Sequence, residues 1–343
     1  MGFARMLHGI LRGQTKWRAE KMKMITKRVA VALLSLWLLP FHANAAQELA
    51  PVGQVVGLEL RDGSVSVAAF DEELGAQSRA AGLQVGDVIE SIDGQQIKTS
   101  EDIRRVLTRS HGMVDVQVSR EGKKQSISLT PHITGDGPKL GIYLKQGVTG
   151  IGTVTWYDKD TGKFATLGHG VNNGNGKLLD MTQGNAYDAR VLTVRKGKSG
   201  EPGQLMGAIE RLEPIGELTA NTAQGVFGIS REGWPCRELP VAKTSEIKTG
   251  KAKILSTVSG VDVREYSVEI LKIYPKSRQT GRNLLIHVTD PALLETTGGI
   301  VQGMSGSPII QDGKLVGAVT HVLVNDPTTG YGIFIENMLD AAA

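Results

Sequence analysis

The sequence has one cysteine, few aromatic residues and no apolar run of the ~20 residues that a membrane-spanning helix needs. Cys236 has no second cysteine to pair with, so an internal disulfide is excluded. It lies in REGWPCRELP, which carries no nucleophile signature, and we interpret it as a structural cysteine. Aromatic residues make up 5% of the chain, whereas 43 of its 343 residues are glycine. This composition favours short strands and many turns over long helices.

The chain also lacks the features of a nucleic-acid-binding or metal-binding protein. Its formal charge is +4, but residues 1–28 hold eight of the 39 Lys and Arg residues and a single acidic residue. The remainder is therefore mildly acidic and shows no basic face, so nucleic acid is not expected as a partner. No pair of histidines has metal-ligand spacing and no CxxC motif occurs, so no metal or other cofactor is expected.

The N-terminal segment has the pattern of an export signal. A basic region ends at Arg28, and the apolar run VAVALLSLWLLPF follows over residues 29–41. Ala43-Asn44-Ala45 is a small-x-small cleavage pattern. Residues 1–45 are therefore predicted to be a signal peptide or, alternatively, an uncleaved N-terminal membrane anchor. Either form implies export across the cytoplasmic membrane.

Residues 52–134 resemble a PDZ domain. The resemblance rests on AAGLQVGDVIESIDGQQI, on the helix start TSEDIRRVL and on a closing hairpin that turns at Glu121-Gly122. Thr99 and Asp102 have capping-box spacing at the start of the helix. An alternative is a small α+β packing module that binds no ligand.

A PDZ domain implies a peptide-binding groove, in which an extended peptide or protein tail adds as a strand to a sheet edge. We place the binding loop between Gly53 and Gly57, and the receiving strand at Leu58 to Leu60. The loop departs from the commonest PDZ pattern, so internal peptides and free C-termini are both candidate ligands.

The region from residue 140 to 343 has the pattern of an all-β domain. Short apolar runs such as GIGTVTWYD, ARVLTV and NLLIHVTD alternate with Gly, Pro, Asn or Asp. Strands at this spacing, without long helical periods, predict barrels or a sandwich. The predicted fold is thus mainly β, with a small α+β domain followed by a second, larger β domain.

The motif GMSGSPII, which begins at Gly303, has the composition of a nucleophile turn. Glycines at 303 and 306 permit the backbone in which N–H groups converge on an oxyanion, and a predicted hairpin follows directly. The pattern resembles chymotrypsin-like serine peptidases, which have a double β-barrel. Their pattern puts Ser305, not Ser307, in the nucleophile position. The backbone N–H groups of Gly303 and Ser305 would form the oxyanion hole.

Three histidines of this region are candidates for the general base. His169 lies between two glycines in FATLGHGV, at the end of an apolar strand, and is the preferred base. His287 alternates inside LLIHVTD, a pattern typical of a sheet histidine. His321, in the strand after the nucleophile, is the second candidate and could line the cleft or support a partner.

The third member of the predicted triad is Asp290, which ends a strand in HVTDPALLE, fifteen residues before Ser305. A carboxylate in this role orients the imidazole and stabilises its charged form. The alternative is a turn residue, since Asp-Pro commonly begins turns. Weaker candidates are Asp180, Asp188 and Asp262.

A longer stretch carries a closer resemblance. VTDPALLETTGGIVQGMSGSPIIQDGKLVGAVTHVLVNDPTTGYGIFIENML, with TLGHG upstream and a PDZ-like block before it, resembles the stage IV sporulation protein B (SpoIVB) peptidase family. The resemblance implies a serine endopeptidase with catalytic His169, Asp290 and Ser305. It also implies export into the space between the forespore membranes, self-cleavage through self-association, and cleavage of a substrate resembling stage IV sporulation protein FA, which triggers intramembrane processing of pro-sigma K.

A hypothesis from another functional class is a non-catalytic envelope adaptor, in which a PDZ domain is attached to an inactive peptidase-like domain. The presence of His169, Asp290 and Ser305 together favours the enzyme. A fluorophosphonate probe separates the two hypotheses, because an adaptor does not become labelled.

Overall fold

The computed structural model describes residues 47–173, 176–275 and 281–343. Its strands are β1 (Glu48–Pro51), β2 (Val55–Phe70), β3 (Val88–Ile92), β4 (Gln95–Gln96), β5 (Val114–Arg120), β6 (Lys123–Leu129), β7 (His132–Thr134), β8 (Gly137–Lys139), β9 (Ile142–Tyr157), β10 (Lys163–Thr166), β11 (Gln183–Arg195), β12 (Gln204–Ile209), β13 (Gly216–Thr222), β14 (Gly225–Ser230), β15 (Leu239–Pro240), β16 (Gly250–Thr257), β17 (Val263–Ile273), β18 (Leu284–Val288), β19 (Pro308–Gln311), β20 (Lys314–Leu323) and β21 (Asp326–Phe334). Its helices are α1 (Ala76–Ala80), α2 (Ser100–Arg109), α3 (Pro291–Thr297) and α4 (Ile335–Ala342), with a 3₁₀ helix at Thr244–Glu246.

Two β-barrels make up most of this chain. The first closes through the pairings β9–β10–β14–β13–β11–β2 and back to β9. The second is the closed barrel β16–β17–β18–β21–β20–β19. Alternate strand positions fill both interiors with aliphatic side chains, among them Val56, Val154 and Leu218 in the first barrel and Ile254, Ile286 and Val319 in the second. The predicted mainly β, chymotrypsin-like double barrel is confirmed.

The PDZ part is a small sheet covered by two helices. The second half of β2 pairs with β3, β3 with β5, and β5 with β6. Helix α2 begins at the predicted capping box, in which the Thr99 side chain accepts from the Asp102 N–H and the Asp102 carboxylate accepts from the Thr99 N–H. One face of this helix, formed by Ile103, Val106 and Leu107, is buried against the sheet.

Strands β2 and β9 each belong to both parts of the structure. The first half of β2 pairs with β11 and with the second half of β9, inside the first barrel. The second half of β2 pairs with β3 and with the beginning of β9, inside the PDZ part. Residues 55–60 therefore lie in the first barrel, although the sequence analysis began the PDZ domain at residue 52. A strand that continues across two domains leaves no composition change at the boundary.

The predicted leader, residues 1–45, lies outside the described residues. Among the residues that the structure does describe, no helix has the length and apolar character needed to cross a bilayer.

One buried ion pair connects two elements of the PDZ part. The Asp87 carboxylate is fully buried and accepts two hydrogen bonds from the Arg120 guanidinium, at 2.6 and 2.7 Å. It also accepts from the Gln84 N–H at 2.8 Å. The pair fixes the loop before β3 against the end of β5. Removing one partner would leave a buried charge without compensation.

Arg120→Ala is therefore expected to lower the free energy of unfolding by ~3 kcal/mol. Arg104→Ala is the matched control, because the Arg104–Glu101 pair has side-chain exposures of 75% and 65%. The control should change stability by no more than ~0.5 kcal/mol. Urea denaturation followed by circular dichroism measures both variants, and equal effects would contradict this role for the buried pair.

Candidate active site

The turn that presents Ser305 is docked on the first barrel. The Thr153 N–H donates to the Ser305 carbonyl at 3.0 Å, and the Thr153 hydroxyl donates to the Gly303 carbonyl at 2.8 Å. Gly306 has φ 98°. A Cβ at this position would lie 2.0 Å from the Thr153 carbonyl oxygen, so only glycine permits this approach. Strand β9 of one barrel thus holds the nucleophile turn of the other.

The two serines of the motif have different surroundings. Ser305 lies in the cleft between the barrels, and its hydroxyl donates to the Thr320 carbonyl at 2.7 Å. Ser307 is fully buried, and its hydroxyl donates to the Ser256 hydroxyl at 3.0 Å. Ser305 is therefore the serine of this pair that a substrate can reach.

The backbone around Ser305 offers two free donors. Neither the Gly303 N–H nor the Ser305 N–H donates a hydrogen bond to any residue within the described ranges. In contrast, the Gly306 N–H donates to the Val319 carbonyl, and the Ser307 N–H donates to the Met304 carbonyl. Two unused N–H groups beside a nucleophile are the donors that an oxyanion requires.

His169 enters the same cleft from the first barrel. It follows β10 after two residues with left-handed backbone, Leu167 at φ 71° and Gly168 at φ 67°. A Cβ on Gly168 would lie 2.9 Å from the Thr320 methyl group, so a side chain there would separate the barrels. The tight turn therefore carries His169 into the cleft that Ser305 also lines.

The tautomer of His169 follows from its hydrogen bond. Its Nδ1 lies 2.9 Å from the Gly170 carbonyl oxygen, which can only accept, so Nδ1 carries the proton. Nε2 is left with a lone pair, as a general base requires. Burial lowers the pKa of His169, an effect that the Gly170 carbonyl opposes, so the neutral form is favoured at neutral pH.

His321 packs beside His169 in the cleft. The two ring centroids are 5.1 Å apart, with the ring planes inclined at 39°. Burial and the charges of His169 and Arg282 lower the pKa of His321 to about 4. Its Nδ1 is buried and has no hydrogen-bond partner among the described residues. His321 is thus a neutral ring against the face of the base.

The cleft has an uncharged and largely aliphatic lining. It has a volume of ≈ 710 Å³, and neither acidic nor Lys or Arg side chains line it within the described residues. Its aliphatic lining comes from both barrels and includes Leu58, Leu60, Ile151, Ile300, Val301 and Val322. The arrangement suits a peptide with apolar side chains near the scissile bond.

The structure places Asp290 away from this constellation. Asp290 is the N-cap of α3, and its carboxylate accepts from the backbone N–H groups of Ala292 and Leu293 at 3.0 and 3.1 Å. It also accepts from the Ser267 N–H at 3.2 Å and does not line the cleft. This corrects the predicted contact with His169. The physical reason is local, because an Asp followed by Pro is a favourable start for a helix.

The weaker carboxylate candidates do not reach the base either. Asp188 forms an ion pair with Arg211, whereas Asp180 and Asp262 are exposed. Together with Asp290, none of them lines the described cleft. Among the described residues, no group of three or more His, Cys, Asp and Glu side chains is arranged to hold a metal ion.

The residues assigned to the PDZ loop and strand also require correction. Leu58 and Leu60 line the cleft that holds Ser305, because their half of β2 belongs to the first barrel. Gly53 joins the two barrels, since its carbonyl accepts from the Thr257 hydroxyl at 3.1 Å. A Cβ on Gly57 would lie 2.9 Å from Ile209, outside the PDZ part. Cys236 is half-buried beside the first barrel, and burial raises the pKa of its thiol, as suits a structural cysteine.

Sequence reasoning missed Thr153 and Thr320, which hold the nucleophile turn and its hydroxyl. Neither lies in a motif, because their hydrogen bonds to the turn form only once the two barrels pack together. Gly170 did have a sequence signal, since it flanks the predicted base.

Comparison with known proteins gives two family matches. The SpoIVB peptidase S55 family matches residues 137–339, more than half of the chain, and the PDZ domain family matches residues 56–130. The solved structures that are similar include the inactive form of Rv3671c protease from M. tuberculosis H37Rv, at 15% identity, 56% coverage of this chain, 82% coverage of that chain and a TM-score of 0.32. The PDZ domain of the SdrC-like protein of Listeria innocua matches at 27% identity, 25% and 97% coverage and a TM-score of 0.21.

Two curated relatives bear names that read "Putative zinc metalloprotease". The one from Rhizobium meliloti is 24% identical and covers 66% of this chain and 51% of its own length. The one from Agrobacterium fabrum is 33% identical and covers 24% of this chain and 22% of its own length. This chain thus spans about half or less of the length of these relatives.

Ser305→Ala is expected to abolish covalent labelling by a fluorophosphonate, because it removes the only motif serine in the cleft. Ser307→Ala is the matched control. It should keep labelling and lose ~1 kcal/mol of stability with the hydrogen bond to Ser256. Mass spectrometry of the labelled protein measures both variants. Labelling that survives in Ser305→Ala and disappears in folded Ser307→Ala would reverse the assignment.

Proposed function

Since this chain belongs to the SpoIVB peptidase S55 family and is a serine peptidase, we propose that Ser305 attacks the peptide bond with His169 as its general base. The observation that carries this proposal is the cleft in which Ser305, the neutral His169 and two unused N–H groups lie together. The alternative hypothesis of a non-catalytic adaptor does not explain why these groups lie in one cleft.

The reaction begins with rotation of the Ser305 hydroxyl. In the structure this hydroxyl donates to the Thr320 carbonyl, so it must turn toward His169 before it can react. His169 Nε2 then takes the hydroxyl proton while Ser305 Oγ bonds to the scissile carbonyl carbon. The carbonyl oxygen becomes an oxyanion, which accepts hydrogen bonds from the Gly303 and Ser305 N–H groups.

Collapse of this intermediate breaks the C–N bond, and the proton on His169 passes to the leaving amine. The acyl-enzyme is hydrolysed by the same steps with water as the nucleophile, which restores Ser305 and the neutral base. Throughout, the Gly170 carbonyl accepts from His169 Nδ1–H and keeps the productive tautomer.

In this mechanism His321, and not Asp290, is the neighbour that positions the base. The His321 ring packs against the His169 ring, so it restricts rotation of the imidazole. Its low pKa keeps it neutral when His169 becomes charged, which avoids repulsion between two imidazolium groups. Asp290 is engaged by three backbone N–H groups at a helix start.

We expect His321→Ala to slow fluorophosphonate labelling by ~100-fold, because small displacements of a catalytic group are costly. His321→Phe keeps a ring at the same place and should retain most of the rate.

For the wild-type protein, the labelling rate should fall as the pH is lowered, with a midpoint below ~6.5, since the lowered pKa of His169 keeps the base neutral to lower pH.

Asp290→Asn tests the family-derived alternative in the same assay. Asparagine also caps helices, so this variant should keep its stability and its labelling rate. A loss of ~10⁴ in rate with an unchanged melting temperature would instead make Asp290 the third catalytic residue, as in a Ser-His-Asp triad.

The family and the predicted leader also support a cellular role. We propose that the peptidase is exported across the forespore membrane, cleaves a membrane protein resembling stage IV sporulation protein FA as well as itself, and so triggers intramembrane processing of pro-sigma K. An uncleaved leader would anchor it to the membrane. The PDZ part would contribute by holding an extended segment of the substrate.

In a test of this role, the full chain is expected to cut a purified protein of the stage IV sporulation protein FA type, whereas the Ser305→Ala chain is not. Fragments are identified by N-terminal sequencing. A wild-type chain that reacts with fluorophosphonate but leaves this substrate intact would contradict the sporulation role and retain the peptidase assignment.

A further inference from the structure

The loop between β11 and β12 leaves the first barrel and lies against the second. We call residues 196–205, which comprise this loop and the first two residues of β12, the strap. The Gly197 N–H donates to the carbonyl of Thr297, the last residue of α3, at 2.8 Å. The Gly200 N–H donates to the Val324 carbonyl, in the turn between β20 and β21, at 2.9 Å. The strap is thus bonded to two connections of the second barrel.

Close packing accompanies these hydrogen bonds. A Cβ on Gly203 would lie 2.4 Å from the Gly197 nitrogen and 2.6 Å from Val301 Cγ1, so a side chain there would displace the strap. Leu205 is 1% exposed and belongs to the aliphatic cluster that fills the second barrel. The inner side of the strap is therefore part of the packed interior.

The strap also holds the residue that precedes Gly303. The Gln302 N–H donates to the Gly203 carbonyl at 2.9 Å, and the Gln302 carbonyl accepts from the Leu205 N–H at 2.8 Å. These two bonds form a parallel bridge between Gln204 and Gln302. Both backbone groups of Gln302 are therefore bonded to the strap, two residues before the end of the turn that presents Ser305.

The bond from Leu205 determines where the Gly303 N–H points. The Gln302 carbonyl and the Gly303 N–H belong to one planar peptide unit, and in a trans unit the two groups point in opposite directions. With its carbonyl directed at Leu205, the unit directs the Gly303 N–H away from the strap. Gly303 lines the cleft, and its N–H is one of the two donors there that bond to no described residue.

The same peptide unit has little else to fix it. Gly303 has φ 101°, in the left-handed region, and glycine adopts positive and negative φ about equally well. Without the bond from Leu205, the unit between Gln302 and Gly303 would be free to rotate and to turn its N–H out of the cleft. The orientation of this donor therefore depends on the strap.

We propose that the strap is the positioning element of the oxyanion hole, and that the Leu205 N–H is the group that orients the Gly303 N–H. Leu205 does not line the cleft, so it acts through the Gln302 backbone and not on the substrate. The inference deepens the proposed function, on which it rests for the role of the Gly303 N–H as an oxyanion donor.

A backbone ester at position 205 tests the proposal directly. Leucic acid, the α-hydroxy analogue of leucine, is introduced by nonsense suppression and deletes the Leu205 N–H while it keeps the side chain. Fluorophosphonate labelling should slow by ~100-fold, because loss of one oxyanion donor costs ~10²–10³ in rate. The matched control is the same ester at Leu83, which is also 1% exposed and whose N–H donates to the Ser78 carbonyl in the PDZ part. Equal labelling rates for the two esters would overturn the proposal.

A reversible rescue separates positioning from a general loss of structure. A Cβ on Gly197 would lie 3.1 Å from Pro327 Cβ, so Gly197→Val should push the strap outward and slow labelling. Gln204 and Gln302 are exposed bridge partners, and neighbouring strands have a spacing that a disulfide can span. In a Cys236→Ala background, Gln204→Cys/Gln302→Cys added to Gly197→Val should restore labelling at least tenfold on oxidation and lose it again on reduction. Equal rates in the two redox states would contradict the proposed role of the strap.

The pKa of His169, followed by NMR in Gly197→Val, is the readout that a merely structural role would move. It should equal the wild-type value, because the change is confined to the oxyanion donor. A pKa of His169 that shifts together with the labelling rate would show that the whole cleft is disturbed and would overturn the proposal.

Hydrogen exchange separates this inference from the proposed function. In the wild-type chain the N–H groups of Leu205 and Gln302 should exchange slowly, and in Gly197→Val they should exchange fast. A wild-type chain that does not react with fluorophosphonate would remove the proposed mechanism, whereas slow exchange of both groups would still show that the strap holds Gln302. Fast exchange of both groups in a wild-type chain that does react would overturn the inference and leave the peptidase mechanism in place.

Discussion

The pairing of β2 with β9 is the interaction on which the rest of the structure depends. Its first part, such as Leu58↔Gly150, closes the first barrel, and its second part, such as Phe70↔Ile142, completes the PDZ sheet. Gly147 lies between the two parts with φ 70°, where a Cβ would be 1.9 Å from the Leu60 carbonyl oxygen. Only glycine allows the two strands to cross from one domain to the other at this distance.

This pairing also connects the two halves of the catalytic site. The proposed base belongs to the first barrel and the proposed nucleophile to the second, so the proposed mechanism requires a rigid contact between them. Thr153 on β9 provides it by holding the carbonyls of Gly303 and Ser305. The Gly303 and Ser305 N–H groups of this turn donate to no described residue and so remain free for an oxyanion. One threonine thus couples barrel docking to the geometry of the reaction.

The electrostatics of the cleft follow from its apolar walls. With no charged side chain along the described lining, burial favours neutral histidines and lowers the pKa of both His169 and His321. A neutral base is therefore available over a wide pH range. In the proposed mechanism no carboxylate among the described lining residues faces the imidazolium, so its stabilisation would come from the Gly170 carbonyl and from the substrate's developing oxyanion.

The sequence by itself determined the features that depend on neighbouring residues. Glycines around Ser305 and His169 indicated tight turns, Thr99 and Asp102 indicated a helix start, and short alternating strands indicated barrels after a PDZ-like block. Tertiary structure alone decided the partners of these elements. Asp290 is a helix cap because the chain after it turns into α3. Leu58 and Leu60 line the cleft because their half of β2 pairs inside the first barrel. A pattern of alternating residues specifies that a strand forms and which face is apolar, but the strand that pairs with it is chosen by the packing of the whole domain.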